Sequence, residues 1–90
     1  MRVAERLEQR LRAALSPSML EITDFSAAHA GHAGARPGGQ THFSVRIVAP
    51  GFAGCSRVQR QRLVLQAAGD LMVDEIHALT IAAHEPGEPG

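Results

Sequence analysis

The chain has no lysine, no tryptophan and no tyrosine, a single cysteine and no long apolar run. Each absence excludes something. Without lysine the nine basic residues are all arginine, and nine acidic residues cancel them to a formal net charge of zero. No global positive field exists to drive non-specific nucleic-acid binding, so any basic surface must be local. Phe25, Phe43 and Phe52 are the whole aromatic complement, which leaves few platforms for stacking single-stranded bases. Cys55 cannot form an internal disulfide and fits a reducing compartment, which points to the cytoplasm. No stretch approaches the ~20 apolar residues of a membrane span. The Arg-rich N-terminus carries Glu5 and Glu8, which suits a folded helix better than a transit peptide. The sequence offers no phosphate-loop lysine, Ser-His-Asp spacing or paired-carboxylate cluster, so an enzyme is not expected.

What is present fits one domain with one modest core: 90 residues, 44% of them apolar. Val3, Leu7, Leu11, Ala14 and Leu15 recur at helical spacing, and Ser16-Pro17 ends that helix because proline disfavours helix in the residue before it. Residues 19–25 alternate with Leu20 and Ile22 on one face and form the first expected strand. Residues 26–40 have no periodicity and are rich in Gly and Pro; so long a loop in so small a domain points to a functional or mobile segment. Thr41 to Ala49 form the second strand, with Phe43, Val45 and Ile47 inward and His42, Ser44 and Arg46 outward, stopped by Pro50-Gly51.

Ser56, with Gln59 three residues on, has the spacing of a capping box. Val64, Ala68, Leu71 and Met72 carry the apolar face of the helix it opens to about residue 75, with Gly69 a weak point. His77 to Ala83 form the third strand. Residues 85–90, Glu-Pro-Gly-Glu-Pro-Gly, read as a disordered tail with nothing to bury. The expected fold class is α+β, with helices packed on one face of a three-stranded sheet.

Gly51-Phe52-Ala53-Gly54 matches the G-x-x-G loop with which some domains clamp a nucleic-acid backbone. The competing reading is a tight strand-to-helix turn with Phe52 plugging the core. Arg57, Arg60 and Arg62 follow, placed either to contact phosphates or to form a solvated helix face or protein-docking patch. Cys55 stands before the helix N-cap, where the helix dipole favours a thiolate, but no His, Asp or Asn adjoins it in sequence. His29 and His32 repeat a triplet in the Gly-Ala loop, and His77 opens the last strand on the same parity as Leu79 and Ile81. Together they suggest a metal site whose loop half orders on binding. Taken singly, the loop histidines fit coincidence and His77 fits a hydrogen-bonded strand end. His42 and His84 are expected to be solvated.

Several motifs in combination resemble the BolA family over roughly residues 3–85. They are Leu20-Glu21-Ile22 followed by Ser26, Thr41-His42-Phe43, the run Phe52-x-Gly54-x-Ser56-x-Val58-x-Arg60-x-Arg62, and Ile76-His77-Ala78-Leu79. The resemblance implies a single BolA-like domain over 1–85, with 86–90 as tail. It also implies a class II KH-like fold, helix-strand-strand-helix-helix-strand with a three-stranded mixed sheet, in which a short second helix starts near Ser56 and the third runs from about Val58 to Leu63.

By the same resemblance the chain would partner a monothiol glutaredoxin and share with it a bridging [2Fe-2S] cluster, in iron-sulfur trafficking and iron or redox sensing. His77 matches the family's C-terminal cluster ligand. The loop before strand two supplies the other, and because that loop holds no cysteine the chain resembles the histidine-type members. His29 is the better positional match for the loop ligand and His32 its rival. The alternative implied by the resemblance is a DNA-binding transcriptional regulator of morphology and stress response, acting through Arg57, Arg60 and Arg62. Two departures from the pattern bear on this. The family's Arg-His-Arg is here Arg60-Gln61-Arg62, and Phe25 replaces the acidic residue usual before Ser26. Zero net charge, absent lysine, scarce aromatics and the missing histidine favour the adaptor reading over the regulator.

Overall fold

The computed structural model describes residues 2–25 and 42–88. Helix α1 spans Val3–Leu15, and Val3, Leu7 and Leu11, one turn apart, are its buried residues. It ends where Ser16 turns left-handed at φ 45° and ψ 56° while its N–H still donates to the Arg12 carbonyl. Strand β1 (Met19–Asp24) then pairs antiparallel with β2 (His42–Val48), and β2 pairs in parallel with β3 (Ala78–His84). The strand order is β1-β2-β3, a three-stranded mixed sheet. A parallel pair demands a crossover of a dozen residues or more, and helices α2 (Arg57–Ala68) and α3 (Leu71–Asp74) supply it.

The core lies between the helices and one face of the sheet. Phe43, Val45 and Ile47 on β2 are fully buried, as the alternation predicts, and meet Leu7 and Leu11 of α1, Val64 and Ala68 of α2, Leu71 of α3 and Phe52. On the other face His42 and Arg46 are exposed, and Arg46 faces Glu21 across the strands at 3.6 Å. Arg6 pairs with Glu75, and Arg10 with Asp70 and the Ala68 carbonyl, tying α1 to the corner between α2 and α3.

That corner corrects the sequence reading. The apolar spacing continues through Leu71 and Met72, yet the helix stops at Ala68 because Gly69 adopts φ 57° and ψ −131°, outside any helical conformation. The Gly69 N–H donates to the Leu65 carbonyl and closes the helix. The break implied by the family resemblance, between a short helix near Ser56 and a longer one from Val58, is also absent: α2 runs unbroken from Arg57, and the short helix comes after it. The segment before α2 is instead a 3-10 turn over Pro50–Phe52.

The tail differs as well over its described part. Glu85-Pro86-Gly87-Glu88 closes a turn in which the Glu88 N–H donates to the Glu85 carbonyl at 3.1 Å. Pro86 at the second position and Gly87 at φ 84° in the third have the pattern of a type II turn. The turn folds Glu88 back onto the domain.

Candidate functional site

The candidate residues lie at two ends of the sheet. At one, β1 leaves the sheet after Asp24 and β2 enters it at His42, and the Phe25 N–H donates to the His42 carbonyl at 2.9 Å. The Phe25 and His42 rings meet edge to face, centroids 5.8 Å apart. His42 is registered against Ala78, the first residue of β3. His77 therefore stands one residue outside the ladder, at the same end of the sheet as Phe25 and His42. It is exposed, and its imidazole makes no hydrogen bond or ion pair with another described residue.

His29 and His32 lie outside the described residues, and the length of chain from Phe25 to each bounds its reach. Strands are ~4.8 Å apart, so Phe25 on the β1 side and His77 on the β3 side are separated by about 10 Å across the sheet. A chain extends up to ~3.5 Å per residue. His29, four residues past Phe25, can therefore reach ~14 Å from it and His32 ~24 Å. Both spans exceed the gap, and tether length does not choose between them. Among the described residues no three His, Cys, Asp or Glu gather into a metal-holding group. The His77 imidazole is exposed and is not part of any such group.

At the opposite end lie the turn, the start of α2 and the close of β3. Phe52 is fully buried, and a Cβ at Gly51 or Gly54 would meet nothing within 4 Å. The G-x-x-G segment is a strand-to-helix turn that seats Phe52. Ser56 caps α2 as its spacing predicts: its hydroxyl accepts from the Gln59 N–H at 3.1 Å while the Gln59 side chain accepts from the Ser56 N–H at 2.8 Å. Cys55, half-buried, points its thiol at the Gly51 carbonyl, 3.6 Å away.

The three arginines do not form one solvent-facing set. Arg57 and Arg62 are exposed and have no partner among the described residues. Arg60 is 13% exposed, donating from Nε to the Cys55 carbonyl at 3.1 Å and from Nη1 to the Ala83 carbonyl at 3.2 Å. Nη1 also donates to both Glu88 oxygens, at 2.8 and 3.0 Å. Glu88 receives His84 Nδ1 at 3.1 Å and the Glu85 N–H at 3.2 Å. His84 and then Arg60 hold its carboxyl at about 2, below the ordinary 4.5. Sequence reasoning missed this cluster and left His84 in solvent. The usable signal was the Pro86-Gly87 dipeptide, a turn former that returns the next residue to the domain.

A mixed three-stranded sheet carrying its helices on one face, with an exposed histidine directly before its last strand, defines an α+β domain of a recurrent kind. Solved structures share it. BolA1 from Arabidopsis thaliana superposes with a TM-score of 0.84 and 40% identity, covering 97% of this chain and 95% of that one. The sequence matches the BolA-like protein family over residues 11–88, and the chain belongs to that family. Among curated relatives, the chloroplastic protein BOLA1 of Arabidopsis thaliana is 41% identical over 94% of this chain and 54% of its own length. The DNA-binding transcriptional regulator BolA of Escherichia coli is 33% identical over 90% of this chain and 73% of its own. The chain spans 24%, 54% and 58% of the length of three of the curated relatives it matches. No helix among the described residues is long and apolar enough to cross a membrane.

Proposed function

We propose that this chain is a cytoplasmic, non-catalytic adaptor that binds a monothiol glutaredoxin and shares a bridging [2Fe-2S] cluster with it. His77 contributes one ligand and the loop contributes another, His29 ahead of His32. The observation that carries the reading is the register at the loop end of the sheet. An exposed histidine with no partner among the described residues stands at the same end of the sheet as Phe25 and His42, which flank the segment of sequence that holds His29 and His32. Two imidazoles supply half of the ligands a cluster of this type requires, so the remainder must come from a partner. Imidazole in place of thiolate raises a cluster's potential and makes its ligation sensitive to protonation, which suits a sensing or transfer role. Such a role asks for no catalytic group.

The test is anaerobic co-expression with a monothiol glutaredoxin. The expected product is a coloured heterodimer carrying iron and sulfide, whereas the chain expressed alone holds neither in stoichiometric amount. A colourless mixture of separate proteins, or a stoichiometric cluster on the isolated chain, contradicts the proposal.

A second reading, DNA-binding regulator, draws on two observations. Helix α2 carries Arg57, Arg60 and Arg62 and not one acidic residue, in a chain of zero net charge, and a relative is named a DNA-binding transcriptional regulator. The commitment of Arg60 to Glu88 weakens this reading, because of the three α2 arginines only Arg57 and Arg62 have no partner among the described residues.

A further inference from the structure

The groove at the end of the sheet away from His77 has a volume of about 430 Å³ and is lined by Arg57, Arg60, Gln61, His84 and Glu88, among others. Three donors converge there on one carboxylate. Arg60 Nη1, His84 Nδ1 and the Glu85 N–H all bond Glu88. The guanidinium is also fixed in place, since Nε is held by the Cys55 carbonyl at the mouth of α2 and Nη1 by the Ala83 carbonyl at the end of β3. A guanidinium oriented by backbone, beside an imidazole and an amide N–H, is the donor set that recognises an oxyanion. Arg57 adds an exposed positive charge on the rim and has no partner among the described residues.

We propose that this groove is a binding site for a phosphate-class oxyanion and that Glu88 occupies it in cis, so that the tail competes with an external anion for Arg60 and His84. The carboxylate is delivered by the Glu85–Glu88 turn, which Pro86 and Gly87 favour locally. It is also only four residues from His84, so its effective concentration at the site is high. An external phosphate must displace it. The depressed Glu88 carboxyl agrees with a site that prefers its occupant charged. The anion could arrive as free phosphate or as a phosphodiester of a nucleic-acid backbone; only the latter bears on the DNA reading above.

The experiment uses the full chain and three variants, Glu88→Gln, Glu85→Gln and the double Arg60→Ala/Glu88→Gln. Glu85→Gln removes the same charge from the same tail while sparing the backbone N–H and carbonyl, the two groups of Glu85 that bond Glu88. Inorganic phosphate is titrated while backbone and side-chain NMR shifts of residues 55–60 and 83–88 are followed. The proposal expects Glu88→Gln to bind phosphate at least ~10-fold more tightly than wild type, with the largest shifts at Arg60 and His84. Glu85→Gln should stay near wild type, and the double variant should lose the gain. Equal affinity in wild type and Glu88→Gln overturns the proposal, as does an equal gain in Glu85→Gln, which would reduce the effect to net charge.

A second arm measures a duplex DNA fragment over a salt series. Release of Arg60 adds one phosphate contact, so the logarithmic salt slope should steepen by about 0.9, from about −2 to about −3. Tighter phosphate binding with an unchanged DNA slope supports the site and assigns it to free phosphate, removing only the DNA reading.

Discussion

One Nη1 of Arg60 donates to both carboxylate oxygens of Glu88, at 2.8 and 3.0 Å, across 28 residues of sequence. With its bonds to the Cys55 and Ala83 carbonyls, this makes Arg60 a clamp joining the N-terminus of α2, the end of β3 and the tail. Its neighbours Arg57 and Arg62 touch nothing comparable.

The first prediction follows from that contrast. Hydrogen bonds to charged groups contribute ~1.5–3 kcal/mol where they are sheltered, and Arg60 is mostly covered. Arg60→Ala should therefore lower unfolding stability by about 1–3 kcal/mol. Arg57→Ala and Arg62→Ala should each stay within about 0.5 kcal/mol of wild type. Urea denaturation followed by circular dichroism measures all three; equal small losses would show that Arg60 is not a clamp.

Acid should release the tail before it unfolds the domain. The Glu88 carboxyl titrates at about 2 in the folded chain against an ordinary 4.5, through His84 first and Arg60 second. A depressed carboxyl contributes stability that is complete above the unfolded value and is lost as pH falls through the folded one. The contribution should therefore fade between about pH 4.5 and about pH 2. Stability measured across that window should fall less steeply in Glu88→Gln than in wild type, since glutamine does not titrate. Asp70, whose carboxyl Arg10 holds below its usual range, contributes in the same direction and remains in both proteins.

Gly69 should not accept a side chain. Its φ of 57° with ψ −131° is strained for any L-residue, and a Cβ would lie 3.1 Å from Arg10 Nη1, the atom that bonds Asp70 and the Ala68 carbonyl. Gly69→Ala should lower stability by about 1–3 kcal/mol. A neutral or stabilising effect, as expected of Gly→Ala inside a continuous helix, would mean that α2 does not end there.

These positions show where sequence reasoning succeeds and where it stops. Helix α1, the three strands and the Ser56–Gln59 capping box are written in local spacing, and the burial of Leu7, Leu11, Phe43, Val45 and Ile47 follows from periods of 3.6 and 2. The end of α2 was not legible, because the apolar period runs on through Leu71 and Met72 and only the conformation of Gly69 interrupts it. Nor was the role of Arg60, whose partners Ala83 and Glu88 lie 23 and 28 residues away. Such contacts depend on how β3 returns beside β2, which no local pattern encodes. The motif marks His77, but its place at the same end of the sheet as Phe25 and His42 depends on the pairing of β2 with β3.

Visible circular dichroism of the heterodimer with a monothiol glutaredoxin, compared among wild type, His77→Ala and His32→Ala, tests the adaptor reading at its ligand. His77 is anchored directly before β3, whereas the loop offers either of its histidines. His77→Ala should therefore lose or strongly alter the cluster signal, and His32→Ala should change it less, while far-ultraviolet spectra show both variants folded. A cluster spectrum in His77→Ala identical to that of wild type would contradict the assignment of His77 as a ligand and with it the proposed adaptor site.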